Sequence, residues 1–391
     1  MSFGTAYRWD KPWIGKLNLD PAEWHGDEPL ELGPDEETDP KFKSAGKLGR
    51  MPLELIYKIC LKLDVVTLAN FRAASSSYRA VVDSVLQYRR LEEHAKDALK
   101  LLAITGVGKQ YSLEEVYDEL CQPWCRACGK FGAYLFLPTL RRCCHNCHFI
   151  APELYVASFA EVISNYGLPP DVASKLHVVH SLAGWYGTMR SNELWVHRDA
   201  LVSTYEAEQL ALGLYGSEAN MVRAFNRRKM RTQRSAPKQA QKSAQSTWLT
   251  GNFATLPRSA PMSIAPARFL FCRQFPLTRH FMATIAFPYF DQSTRASESG
   301  VYCKACTVAF ERTIVDMEDT HELLLEILDQ RYHRAYLEED MPEHFATCSS
   351  MQMRLHDFPS AMLPNWPYHR EGEDFLIEYE EPAEEELESD S

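Results

Sequence analysis

Eight side chains hold the most chemically specific spacing in the chain. Cys125 and Cys128 form one Cys-x-x-Cys hook and Cys144 and Cys147 a second, with fifteen residues between the pairs. A two-residue gap lets one tight turn aim both thiolates at one ion, and two such turns complete a tetrahedron of sulfurs. Four unrelated core thiols would have no reason to fall in paired hooks. A four-thiolate set leaves no open coordination position, so the ion expected here is structural and not catalytic. His145 and His148 alternate with these cysteines and could substitute as ligands. Cys143 could compete with Cys144, which is preferred because it completes the hook.

A third hook, Cys303/Cys306, has no partner hook after it. It is followed by a helical stretch and then by MPEHFATC, where His344 and Cys348 stand four residues apart. Four apart is one helical turn, which places both on one face. Two thiolates from a turn and a His and a Cys from a helix make a Cys3His zinc site. His321 and His333 are rivals for the fourth ligand. His177 and His180, spaced H-x-x-H, would need a further ligand nearby and read as packed or surface side chains.

These ligands need elements to position them. Between the first two hooks, AYLFL reads as a strand, Pro138 as a turn, and Arg141 and Arg142 as the lead into the second hook, which makes a hairpin. Upstream, Ser112 and Glu115 have capping-box spacing and start a helix that delivers the chain to the first hook. Earlier still, residues 49–95 read as three consecutive helices. Pro52 suits a first-turn position, and Leu55, Ile56, Ile59 and Leu63 recur at helical spacing. Asp64 can cap the second helix, which carries Val65, Leu68 and Phe71. Tyr78, Val81, Val82, Val85 and Leu86 form the third stripe. So small a unit has a thin core, and its stripes are more apolar than it can bury alone, which argues for a partner over one face.

The run MPLELIYKIC followed by LDVVTLANFRAASSSYRAVVD resembles the F-box, whose opening is Leu-Pro-x-Glu-like. Met51, Pro52, Glu54 and Leu55 meet that opening here, with Met in place of the first Leu. The resemblance implies docking to the Skp-type adaptor of SCF (Skp–cullin–F-box) ubiquitin ligases, and through it to the cullin scaffold. The residues it points to are Met51, Pro52, Leu53, Glu54, Leu55, Ile56, Ile59, Leu68 and Phe71. LHVVHSLAGWYG, ELWVHRDALVSTYEA and the HFxxC phrase are similar to segments of fungal-type F-box proteins that carry zinc hooks.

Bulk properties fit an intracellular chain, cytoplasmic or nuclear. Its 391 residues allow two or three domains, and 45% hydrophobic content lets most of it build a core. The N-terminus lacks the apolar run of a signal peptide, and no stretch approaches the ~20 apolar residues of a membrane span. Eleven cysteines, several in hooks, fit metal binding better than disulfides. The net charge of −11 belongs to one segment: residues 371–391 hold eleven Asp or Glu and no Lys or Arg. Without those eleven, 42 of the 53 acids remain, equal to the 42 Lys and Arg. Residues 227–242 carry seven Lys or Arg and no acid, but no aromatics interleave for base stacking.

The expected fold class is α+β, mainly helical: an N-terminal three-helix F-box-like unit, then an irregular zinc-stapled domain. The expected segments are a poorly ordered arm (1–47), the F-box-like unit (48–95), a helical linker with the first zinc region (96–226), a basic disordered linker (227–260), the second zinc region (261–355) and an acidic disordered tail (356–391). The leading functional expectation is a non-catalytic substrate receptor holding two structural Zn2+ ions, with a protein substrate the sequence does not name. No G-x-S-x-G, Walker loop or H-E-x-x-H motif competes with it. The alternatives are a zinc-containing nucleic-acid binder, which a neutral body disfavours, and an F-box scaffold acting outside SCF. No membrane partner is expected.

Overall fold

A computed structural model of the chain describes residues 51–188, 191–235, 277–303, 305–307, 309–310 and 322–350. The expected N-terminal arm and the acidic tail lie outside them. The described residues fall into two compact units, one up to Gly300 and one from Val301.

The first unit opens with helices and continues as mixed helix and strand. Helix α1 (Leu53–Lys62) begins at Pro52, which takes the N-cap position and not the first turn. Asp64 caps α2 (Val65–Ala73), accepting the Thr67 amide at 2.8 Å. Ser75 caps α3 (Ser76–Ser84) in the same way. Where the sequence suggests a third helix running on, Val85 is extended and breaks it, so α4 (Leu86–His94) is separate. Helix α5 (Lys96–Ile104) follows, and the Ser112–Glu115 capping box starts α6 (Leu113–Leu120) as expected.

The thin core is thickened from within the chain. The α1–α2 joint is tied to the start of α6 by Val65 N–H to the Tyr111 carbonyl (3.2 Å) and Leu113 N–H to the Leu63 carbonyl (3.0 Å). Helices α5 and α6 bury Leu101, Leu102, Leu113, Val116 and Leu120, and α6 packs on both α1 and α4. Part of the apolar surplus is therefore absorbed by the segment that leads to the first hook. Further along, Arg90 on α4 donates to the Tyr117 hydroxyl (2.7 Å) and lies over the Phe290 ring.

The hairpin between the hooks is strand β1 (Tyr134–Phe136), a single 3-10 turn holding Pro138, and β2 (Arg141–Cys143), antiparallel with Tyr134 opposite Cys143. Helix α7 (His145–Ile150) carries the second hook. Next come β3 (Val156–Ser158), α8 (Phe159–Tyr166), a one-turn α9 (Pro170–Ala173), β4 (Val179–His180), the hairpin β5 (Gly184–Thr188) and β6 (Ser191–Trp195), β7 (Ala200–Ser203), α10 (Thr204–Tyr215) and α11 (Glu218–Ser235). Strands β3, β7 and β4 form one sheet. Around it Val162, Tyr166, Leu176, Val202, Ala207 and Met221 build a second core.

The basic run does not begin as a linker. Its residues 227–235 are the end of α11, and Arg228 is anchored, donating to the Tyr215 hydroxyl (2.9 Å) and the Asn165 carbonyl (2.7 Å). Residues 236–260 lie outside the described set. When the chain returns, β8 (Thr284–Ala286) adds to the free edge of β1, completing a β2-β1-β8 sheet. The short hairpin β9 (Tyr289–Phe290) and β10 (Ser297–Glu298) closes the unit.

In the second unit Val301 and Tyr336 exchange backbone hydrogen bonds at 2.8 and 2.9 Å. Helix α12 (Glu322–Tyr332) leads to α13 (Met341–Thr347). Its core is Cys303, Ala305, Cys306, Tyr336, Met341 and Cys348. Among the described residues, no helix is long and apolar enough to cross a membrane.

Candidate metal centres and the exposed face of the first helix

The first hook is a knuckle, Cys125–Lys130, closed by Cys125 N–H to the Lys130 carbonyl (2.7 Å) and Gly129 N–H to the Cys125 carbonyl (2.9 Å). Gly129 sits at φ +70°, where a side chain would strain the turn. The knuckle docks on β2 through Arg126 N–H to the Arg142 carbonyl (2.9 Å). The second hook starts a helix: Cys144 is the N-cap of α7, and its sulfur accepts the Cys147 amide at 3.5 Å. A helix N-terminus favours negative charge, here a thiolate.

Hairpin, knuckle and helix together bring the sulfurs of Cys125, Cys128, Cys144 and Cys147 within 4.8 Å of one another, with Cys128 and Cys144 at 3.6 Å. Zinc–sulfur bonds of about 2.3 Å in a tetrahedron place sulfurs about 3.8 Å apart. The four are free thiols. Crowding alone sets them against one another: hydrogen bonds from Cys144 and Cys147 hold the Cys125 thiol low, while their bonds to Cys125 push Cys144 up to about 12 and raise Cys147. A divalent cation would remove that conflict and keep all four as thiolates. The donor set fits a soft, tetrahedral metal ion.

Neighbouring candidates fall away for clear reasons. Cys143 stands outside the cluster, and burial raises its thiol well above the usual range. His148 bonds through Nε2 to the Thr284 hydroxyl (2.7 Å), and the His145 ring packs at a tilt against Phe149, outside the cluster. His177 bonds the Glu206 carboxylate at 2.8 Å and packs near Tyr111. His180 ends β4 outside either cluster.

One residue at this site escapes a reading of motifs. Arg142, the expected lead-in to the second hook, has a fully buried side chain. Its guanidinium donates to four carbonyls: Gly132 (2.7 Å), Phe287 (2.8 Å), Pro288 (2.7 Å) and Glu119 (3.1 Å). Its own amide donates to the Glu119 carboxylate at 2.6 Å, which also holds Arg126. Burial brings the guanidinium down to about 10. Arg142 thus fastens the first hook, the end of α6 and the strand returning 145 residues later. Gly132 is the clearance for its stem, since a Cβ there would sit 2.6 Å from Arg142 Cγ. Gly132→Ala is therefore expected to destabilise the chain by about 1–3 kcal/mol, the usual cost of overpacking a fixed core, read as a lower urea midpoint with the metal bound.

The second cluster lies wholly in the second unit. Cys303, Cys306, His344 and Cys348 bring their donor atoms within 4.8 Å. Cys306 Sγ is 3.5 Å from Cys348 Sγ and 3.7 Å from His344 Nε2, and Cys303 Sγ is 4.0 Å from Cys348 Sγ. The ring of His344 rests 4.4 Å from that of Tyr336. Burial opposes its charge, but hydrogen bonds and charge from Cys303 and Cys348 outweigh that and lift it to about 9. His333 is occupied by Asp329 at 3.2 Å and stands outside the group, while His321 lies outside the described residues. Among the described residues these two groups are the candidates for a metal ion.

The nine residues expected to meet an adaptor divide by exposure. Leu53, Leu55 and Ile59 on α1 are 38%, 44% and 41% exposed, beside exposed Pro52 and Glu54. Leu55 and Ile59, four apart, share one face, while Leu53 stands in the first turn. Met51, Leu55, Lys58, Ile59, Lys62 and Leu63 line a shallow groove there. Ile56 and Leu68 face inward and hold α1 and α2 from behind. Phe71 is half-buried and stacks on Tyr78 at 4.5 Å.

Residues 48–90 match the family model of the F-box domain. No curated protein and no solved structure matches the chain.

Proposed function

From the F-box domain at residues 48–90, we propose that this chain is the substrate receptor of an SCF ubiquitin ligase. The carrying observation is the apolar exposure along α1, where Leu55 and Ile59 share an outward face and Leu53 is exposed in the first turn, in the segment that matches the F-box. Three large aliphatic groups along one short helix are costly to leave in water; with about 40% of each still exposed, covering them is worth roughly 0.6–1.2 kcal/mol apiece. Lys58 lines the same groove and suits an acidic partner surface, whereas Lys62 beside it is already paired with Glu114. The partner is a Skp-type adaptor, and through it the cullin scaffold. Pro52 sets the entry to α1, Met51, Leu53, Leu55 and Ile59 supply the contact, and Ile56, Leu68 and Phe71 keep the helices in place.

The receptor breaks no bond itself. It raises the local concentration of a substrate lysine near the charged conjugating enzyme. Two structural zinc ions, one on Cys125, Cys128, Cys144 and Cys147 and one on Cys303, Cys306, His344 and Cys348, hold the regions that present the substrate. A four-donor protein site has no position left for water, so neither ion serves as a Lewis acid.

The test is co-purification of the adaptor with wild type and with the double variant Pro52→Ala/Leu53→Asp. Wild type is expected to retain the adaptor. The variant is expected to lose about 100-fold or more in affinity, because a charge replaces a buried anchor. Zinc content and helicity should be unchanged. A folded, zinc-loaded wild type that ignores the adaptor would sink the reading.

A further inference from the structure

The eight candidate ligands are alike in chemistry and unlike in access. Cys303, Cys306 and Cys348 are all buried, as are Cys125, Cys144 and Cys147, whereas Cys128 is exposed. It sits in a run, Arg126–Lys130, whose every residue is exposed. Its sulfur lies 3.6 Å from that of Cys144. The second cluster has a sulfur pair just as close, Cys306 and Cys348 at 3.5 Å, but both are shielded. Proximity is equal at the two sites, and solvent access separates them.

We propose that Cys128 is a modification site for peroxide-class oxidants, and that its oxidation discharges the first metal centre while sparing the second. The Cys128 thiolate attacks one oxygen of hydrogen peroxide. The O–O bond breaks, hydroxide leaves and a sulfenic acid forms on Cys128. The Cys144 thiolate then attacks that sulfur, an S–S bond forms and a second hydroxide leaves. Two thiolates and one peroxide give one disulfide and two hydroxides, the two electrons passing from the sulfurs to the peroxide. With two of its four ligands joined to each other, the site releases its Zn2+ unchanged in oxidation state.

A functional consequence rests on the receptor reading above. Helices α1 to α3 contribute no ligand, so the adaptor face survives while the hairpin between the hooks loses its staple. Oxidation would separate adaptor docking from substrate presentation.

The test uses the full zinc-loaded chain under graded hydrogen peroxide, with a zinc-sensitive dye and peptide mass spectrometry. The expected result is one zinc equivalent in a fast phase, a Cys128–Cys144 disulfide in the released fraction, and a second equivalent leaving at least about tenfold more slowly. Cys128→His keeps four donors and is expected to abolish the fast phase. Should that variant not load zinc, timed N-ethylmaleimide labelling of wild type is expected to mark Cys128 first among the ligands. Simultaneous loss of both ions, a first disulfide among Cys303, Cys306 and Cys348, or equal labelling of all ligands would overturn the proposal. Adaptor retention by the oxidised chain is a separate readout, so failure of the receptor reading leaves the zinc-release result standing.

Discussion

Cys147→Ser is expected to reduce the zinc content of the purified chain from two equivalents to one and to melt the region around the first hook. The expectation follows from what the ion does there. Its four sulfurs come from a knuckle, a helix cap and the first turn of α7, pieces too short to hold one another by packing. Zinc binding in sites of this kind is worth on the order of 10 kcal/mol, comparable with the whole stability of an ordinary domain. Cys143→Ser is the control. Cys143 is equally buried but outside the cluster, so this variant should keep both ions and lose only modest stability. Because the ligands must be deprotonated, acid should release zinc from wild type in the same order of magnitude of effect as the substitution. Two equivalents retained by Cys147→Ser would contradict the ligand assignment.

Arg142→Met should be the most damaging substitution outside the ligands. Removing the charge relieves a desolvation cost of roughly 3 kcal/mol, judged from the drop of its guanidinium to about 10. Against that, four carbonyls lose their donor, each at roughly 1–3 kcal/mol when buried. Glu119 is not orphaned, since Arg126 and the Arg142 amide still hold it. The lost bonds win, and a net destabilisation of about 4 kcal/mol is expected by urea unfolding of the zinc-loaded chain. Arg142→Lys should not rescue it, because one ammonium cannot serve four carbonyls arranged around a planar fork. A loss below about 1 kcal/mol would show that the carbonyls find water or that the return strand is not fastened there.

What the sequence made legible follows from how local each constraint is. Each pair of ligands lies within five residues, so the spacing of Cys125/Cys128, Cys144/Cys147, Cys303/Cys306 and His344/Cys348 could be read directly, and the structure gathers each set of four. The hairpin between the first hooks and the Ser112 capping box were legible for the same reason. The break at Val85 was not, because an apolar residue in extended geometry leaves no turn signal. Nor could the return of β8 to β1 be seen, since that pairing spans about 150 residues and depends on no local motif. Arg142 looked like one of two basic residues before a hook; only the carbonyls of Phe287 and Pro288 make it an anchor. The basic run looked like a linker from residue 227, yet Arg228 is spent on Tyr215 and Asn165. Charge composition does not reveal which cations are already engaged.

The most direct measurement of the receptor account is reconstitution of the full chain with the Skp-type adaptor and the cullin scaffold, followed by size-exclusion chromatography. The account predicts a ternary complex in which the chain and cullin co-elute through the adaptor, and which Pro52→Ala/Leu53→Asp dissolves into its parts. A chain that binds the adaptor yet never brings in the cullin would contradict it, and would make this an F-box scaffold working outside ubiquitin transfer.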